Sequence, residues 1–144
     1  NTRARGQALM NYREADASRV DVQEGPDGSK TATFSTNENQ ITVTVQADAK
    51  QAREHVELVV RAFHAGYAAF LDCRRKCEKG GLSPEGDIKA SLVLDARGKA
   101  KTKIESITVA HERAPICAER AFSKLSFEKP GAPVKASVVV HFAK

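Results

Sequence analysis

An α+β fold built on an antiparallel sheet is what this sequence predicts, on three observations. Short runs such as Gln40–Ala47 and Asp87–Asp95 alternate apolar and polar residues, the period of a half-buried strand. Between them, apolar residues recur at three- and four-residue steps, the period of an amphipathic helix. The resulting order is strands, a long helix, then strand, strand, helix, strand, which segregates helices and strands as α+β folds do. At 144 residues, with 41% hydrophobic and 28% charged side chains, the chain has enough apolar material for one folded domain, so wholesale disorder is not expected. Tryptophan is absent, so the core is expected from Val, Ile, Leu and Ala, with six Phe as its larger pieces.

Residues 1 to about 17 show a short helical tendency around Gln7 to Arg13 without a cap, and read as a frayed or docked end. Residues 18–35 read as a β-hairpin, because Pro26-Asp27-Gly28-Ser29 is a turn signal between two alternating runs. Ile41, Val43 and Val45 share one face of a third strand. Asp48, with Gln51 three residues later, suggests a capping box. One long helix is expected from about Asp48 to Lys79, with Val56, Val59, Val60, Phe63, Tyr67, Phe70 and Leu71 as its apolar stripe. Arg74, Arg75, Lys76 and Lys79 suit its carboxyl end, and Gly80-Gly81 stops it. An N-terminal arm of residues 1–47 and a unit of residues 48–144 are thus expected, together forming one compact body.

After the loop, Ile88, Ala90, Leu92 and Leu94 share a strand face, and Asp95-Ala96-Arg97-Gly98 is a hairpin connection. In the return strand Lys99, Lys101 and Lys103 have the same parity as Ile107 and Val109. A bulge near Glu105 to Ser106 would reconcile the two runs. Ala114 to Lys124 reads as a short helix with Pro115 in its first turn, burying Ile116, Cys117, Ala121 and Phe122. Val134 to Phe142 is the last strand, strongly β-branched.

Charge is uneven along the chain. Residues 1–72 carry 8 basic and 10 acidic side chains, and residues 73–144 carry 15 and 8, so the positive balance belongs to the second half. Lys99, Lys101 and Lys103 project from one strand face, with Lys89 on the neighbouring strand. Such a ladder either discourages edge-to-edge aggregation or meets an acidic partner. Nucleic acid is disfavoured because no aromatic residue interleaves the stripe.

No catalytic signature is present: there is no phosphate-cradling glycine loop and no nucleophile elbow. His55, His64, His111 and His141 share no motif spacing and read as surface or half-buried residues. His64 lies nine residues before Cys73 in the same helix, too far for a Cys–His pair. Cys73, Cys77 and Cys117 with His64 or His111 could grip zinc, but a closed site usually needs a second close-spaced pair, so no metal or cofactor is expected. Three cysteines allow three bridges with one thiol left over. Cys73 to Cys77, one helical turn apart, rarely meets disulfide geometry.

The spacing of the second half resembles the TonB-like C-terminal domain of the AgmX/PglI gliding-motility and envelope-lipoprotein type. That family shows a helical Cys, a Gly opening a strand thirteen residues on, and an Asp-x-x-Gly hairpin twelve further. A second Cys about twenty beyond lies in a short helix, with a Phe-Pro-x-Pro-like segment ten later. Here Cys73, Gly86, Asp95 to Gly98, Cys117 and Phe127-Glu128-Lys129-Pro130 stand at compatible offsets. Arg74 replaces the family's aromatic, Leu125-Ser126-Phe127-Glu128 replaces its Trp-x-Phe-Pro ending, and Cys77 has no counterpart. The match spans about residues 60–144.

The resemblance implies a Cys73–Cys117 disulfide with Cys77 spare, and hence a periplasmic or outer-envelope location, secreted or lipid-anchored. The chain opens Asn1-Thr2-Arg3 with no signal-like apolar segment, so a targeting segment is expected upstream. It further implies a non-enzymatic interaction domain that takes an extended segment of another envelope protein by strand addition. The expected contact is the Lys99–Lys103 strand or the last strand, through Val138 and Val140. Two alternatives stand beside it. One is a carrier for a small molecule or an anionic cell-wall polymer, with a pocket near Tyr67, Phe70 and Phe127; the other is a homodimerisation domain with an apolar patch on the N-terminal hairpin.

Overall fold

A computed structural model describes residues 22–36, 40–78 and 84–143. Its elements are strands β1 (Gln23–Glu24), β2 (Lys30–Ser35) and β3 (Ile41–Ala47), helices α1 (Arg53–Ala65) and α2 (Ala68–Cys77), strands β4 (Gly86–Leu94) and β5 (Ala100–Ile107), helix α3 (Ala114–Ser123) and strand β6 (Val134–Phe142). The fold is α+β. All strand pairings are antiparallel, in one six-stranded sheet of order β1-β2-β3-β6-β4-β5. The strands before α1 therefore join the same sheet as those after α2, through β3 against β6.

The alternation in each strand decides which face is buried. Ile41, Val43 and Val45 of β3, Ile88, Ala90, Leu92 and Leu94 of β4, and Val134, Ala136, Val138, Val140 and Phe142 of β6 all lie on the inner face under the helices. Helix α1 covers β2 and β3, α3 covers β5, and α2 packs against α3. On the outer face β2 and β3 present paired hydroxyls, Thr33 to Thr44 at 3.2 Å and Ser35 to Thr42 at 2.9 Å.

The expected bulge lies in β5: Ala90 faces Ile104 and Lys89 faces Ser106, so one extra residue, Glu105, sits opposite the Lys89/Ala90 step. It turns Ile107 back toward the core opposite Ile88 and leaves Lys101 and Lys103 outside.

Several expectations are corrected. The single long helix is two helices, broken at Gly66-Tyr67. A Cβ on Gly66 would stand 2.8 Å from Leu125 Cδ2, so the segment after α3 packs against the bare backbone at the break. Asp48 does not cap α1. Its Oδ1 accepts the Lys50 N–H at 2.9 Å, which makes a turn ahead of the helix, and Ala52 occupies the N-cap without a side-chain bond. Ile116 is 58% exposed. The buried face of α3 is Ala114, Cys117, Ala118, Ala121 and Phe122, and Ile116 falls outside that three- and four-residue stripe. Arg74 does lie in the last turn of α2, as expected, and is buried there: its guanidinium pairs with Glu78 and donates to the Ala143 carbonyl at 2.9 Å, tying α2 to the end of β6. The start of the N-terminal hairpin at residues 18–21, the arm at 1–17 and the Gly80-Gly81 stop lie outside the described residues.

The β4–β5 turn shows how one side chain fixes a hairpin. Asp95 Oδ1 accepts the N–H groups of Arg97 at 2.9 Å and Lys99 at 3.0 Å, while Gly98 supplies the positive φ of +90°. The bond from the Lys99 N–H, opposed by desolvation and helped by that from Arg97, holds the Asp95 carboxyl below the usual carboxylate range. A depressed carboxylate contributes stability that is present above its ordinary pKa and is lost as pH falls through the depressed value. Asp95→Ala is therefore expected to lower Tm at neutral pH, with the gap to the parent closing in strong acid. Thermal unfolding of both proteins across that range checks it, and a gap independent of pH contradicts it.

Candidate partner-binding edge and cysteine cluster

Strand β5 closes one end of the sheet, so one side of its backbone has no neighbouring strand among the described residues. Such an edge is a template for an added strand unless something blunts it. Lys101 and Lys103 rise from its outer face, opposite Val93 and Ser91 of β4, and Lys89 lies on the same face. Ser91 donates to Glu105 at 3.0 Å, so one carboxylate sits among these cations. Lys99 stands at the strand's entrance, and its backbone is already engaged by Asp95.

Beneath the inner face of β5 runs a groove of about 510 Å³. Ala100, Thr102 and Ile104 form its roof, Phe122 of α3 one wall, and Leu125 and Phe127 its end. Its position follows from local sequence. Thr102 and Ala100 are small where β4 carries Leu92 and Leu94, so the inner face of the edge strand leaves space between itself and α3. Sequence reasoning missed this groove, although small inward residues in an otherwise aliphatic face were its signal.

The other expected edge is corrected. β6 is a central strand, paired with β3 on one side and β4 on the other, and Val138 and Val140 are 1% and 0% exposed in the core. Neither offers a contact to a partner. The β-branched run of β6 reflects burial in mid-sheet rather than an edge, which natural strands rarely leave long and apolar. The residues named for a carrier pocket also part company. Phe70 is fully buried in a ring cluster with Phe63 at 5.9 Å and Phe122 at 5.1 Å, while Phe127 lines the β5 groove. Tyr67 is half-buried beside His64, at 5.7 Å between ring centres.

Cys73 and Cys117 form a disulfide between α2 and α3, with Cα atoms 5.3 Å apart. Cys77 is free and buried, and burial pushes its thiol pKa up while the Arg113 guanidinium pulls it back. All three sulfurs lie within 4.8 Å of one another, and neither His64 nor His111 joins the group. His111 Nδ1 instead accepts the Arg113 N–H at 3.0 Å. His55 meets the Pro130 carbonyl at 3.1 Å, and His141 Nδ1 pairs with Asp87 Oδ1 at 2.6 Å on the outer face.

No helix among the described residues is long and apolar enough to cross a membrane. No family model, curated protein or solved structure matches the chain.

Proposed function

We propose that this chain is a non-catalytic, TonB-like interaction domain of the cell envelope, and that it binds an extended segment of a partner protein by strand addition to β5. The observation that carries this reading is the pairing of an open sheet edge with a groove directly beneath it. A strand laid against β5 would gain main-chain hydrogen bonds along the edge. Every second side chain would hang into the groove, over the apolar Phe122, Leu125 and Phe127 and beside the polar Glu119, Ser123 and Ser126. The alternate side chains would face outward beside Lys101 and Lys103, which favours acidic residues there.

The envelope location is supported by the disulfide, since such bridges persist in oxidising compartments. The TonB-like reading is supported by the spacing of Cys73, Gly86, Gly98 and Cys117 and by the strand, strand, helix, strand order of β4, β5, α3 and β6. An anionic cell-wall polymer would use the lysines alone and leave the groove empty.

Changing Lys99, Lys101 and Lys103 together to Ser tests the charge contribution. Exposed charges each contribute roughly 0.2–1 kcal/mol, so loss of three is expected to lower partner affinity at low salt about 3- to 150-fold and to flatten its salt dependence. The measurement is a titration of the partner from the native compartment at several salt concentrations. Unchanged affinity and salt slope would reduce the lysines to edge protection.

A further inference from the structure

Cys77 is unexplained by the bridge, and its surroundings are not those of an isolated core thiol. It is the last residue of α2, one helical turn beyond Cys73, so both sulfurs face α3 from the same side. Its sulfur lies within 4.8 Å of both bridged sulfurs. Cys117 is also the point where the cluster meets solvent. It lies at a surface cavity of about 410 Å³ whose other lining residues are Lys76, Glu112, Arg113, Ile116 and Arg120. Three cations against one carboxylate make that mouth electropositive, although Lys76 also pairs with Asp72 at 3.2 Å. The exposed Ile116 adds an apolar shoulder to the mouth.

We propose that Cys73, Cys77 and Cys117 form a thiol–disulfide exchange site, in which Cys117 is the shared sulfur and small anionic thiols enter through the cationic mouth beside it. The incoming thiolate attacks Cys117 Sγ, the Cys73–Cys117 bond breaks, and its electron pair leaves on Cys73 Sγ. Cys77 then passes its proton to the neighbouring Cys73 thiolate and attacks Cys117 Sγ, expelling the small thiol as thiolate. The bridge has moved from Cys73 to Cys77, one disulfide has replaced another, and there is no net oxidation. Cys73 and Cys77 do not bridge each other, because neighbouring turns of one helix rarely meet disulfide geometry. The two helices can thus be stapled in two registers one turn apart.

The test uses the whole chain with reduced glutathione as the anionic thiol. After native incubation the protein is quenched in acid, its free thiols are alkylated, and the sites are mapped by mass spectrometry. The expected result is a glutathione adduct on Cys117 and alkylation of Cys73 in about one chain in ten, the scale of a populated minor state. Cysteamine, a cationic thiol, is expected to form the adduct several-fold more slowly at equal thiolate concentration. An adduct on Cys73, or alkylation confined to Cys77, overturns the proposal. Cys73→Ser gives an independent reading: reoxidised in a glutathione couple, it is expected to titrate no free thiol and to yield a Cys77–Cys117 peptide. Two free thiols in a Cys73→Ser protein with parental circular dichroism would equally overturn it.

Discussion

Truncating Phe63 to Ala is expected to lower the unfolding free energy by about 3–5 kcal/mol, among the largest effects of any single core substitution here. Phe63 is fully buried at the junction of all three helices and the sheet. Its ring stacks on Phe70 at 5.9 Å and meets Phe122 and Phe127 edge-on at 5.8 and 6.5 Å. With no tryptophan in the chain, these rings are the largest pieces in the core, and removing the central one strips contacts from the other three at once. For a chain of this size the loss corresponds to a Tm lower by roughly 10–20 °C. Phe63→Leu keeps most of the volume and is expected to cost about 1.5 kcal/mol or less. Ile116→Ala on exposed α3 is expected to stay within about 0.5 kcal/mol. Urea unfolding of the three variants checks the order, and equal losses at Phe63 and Ile116 would mean that the burial described for α3 is wrong.

Removing the bridge is the second large effect. Cys73 and Cys117 are separated by 44 residues, and closing a loop of that length in the unfolded chain is worth about 4 kcal/mol in the chain-entropy description. Cys117→Ala removes the sulfur on α3 and leaves only the two on α2, so it is expected to lose that amount. Reductant should then bring the parent's urea midpoint down to that of the variant, while leaving the variant unmoved. A variant as stable as the oxidised parent would show that the bridge staples nothing. Protein taken from its native compartment and denatured without reductant is expected to titrate one thiol per chain, whereas three would sink the envelope assignment along with the bridge.

Local pattern made much of this fold legible. The alternation of Ile88, Ala90, Leu92 and Leu94 and of Ile41, Val43 and Val45 placed two strands and their buried faces correctly, because period-2 burial is a local property of the chain. The parity conflict between Lys103 and Ile107 located the bulge, since only an extra residue could keep both runs on their proper faces. The break at Gly66 was hidden. The apolar stripe stays in phase from Val56 to Phe70, and a helical glycine costs only about 1 kcal/mol, so nothing local forbade a continuous helix. Leu125, a residue far along the chain, packs where a side chain at position 66 would stand, a contact that no local pattern announces.

Strand order was hidden for the same reason. Whether β6 lies at an edge depends on which strands flank it, and its pairing partners β3 and β4 end 87 and 40 residues before it begins. The candidate site was therefore half legible: the lysines of β5 could be read from spacing, but the groove beneath them exists only once α3 and Phe127 have docked.

Site-specific photocross-linking in the cells that make the protein tests strand addition most directly. A photoreactive residue is placed in turn at each position from Ala100 to Ile107, with the outer-face positions Thr33 and Thr44 as controls. Strand addition predicts one discrete protein adduct whose yield alternates with a two-residue period along β5 and is absent at the controls. Adducts of equal yield at Thr33 and Thr44, or none along β5, would contradict it.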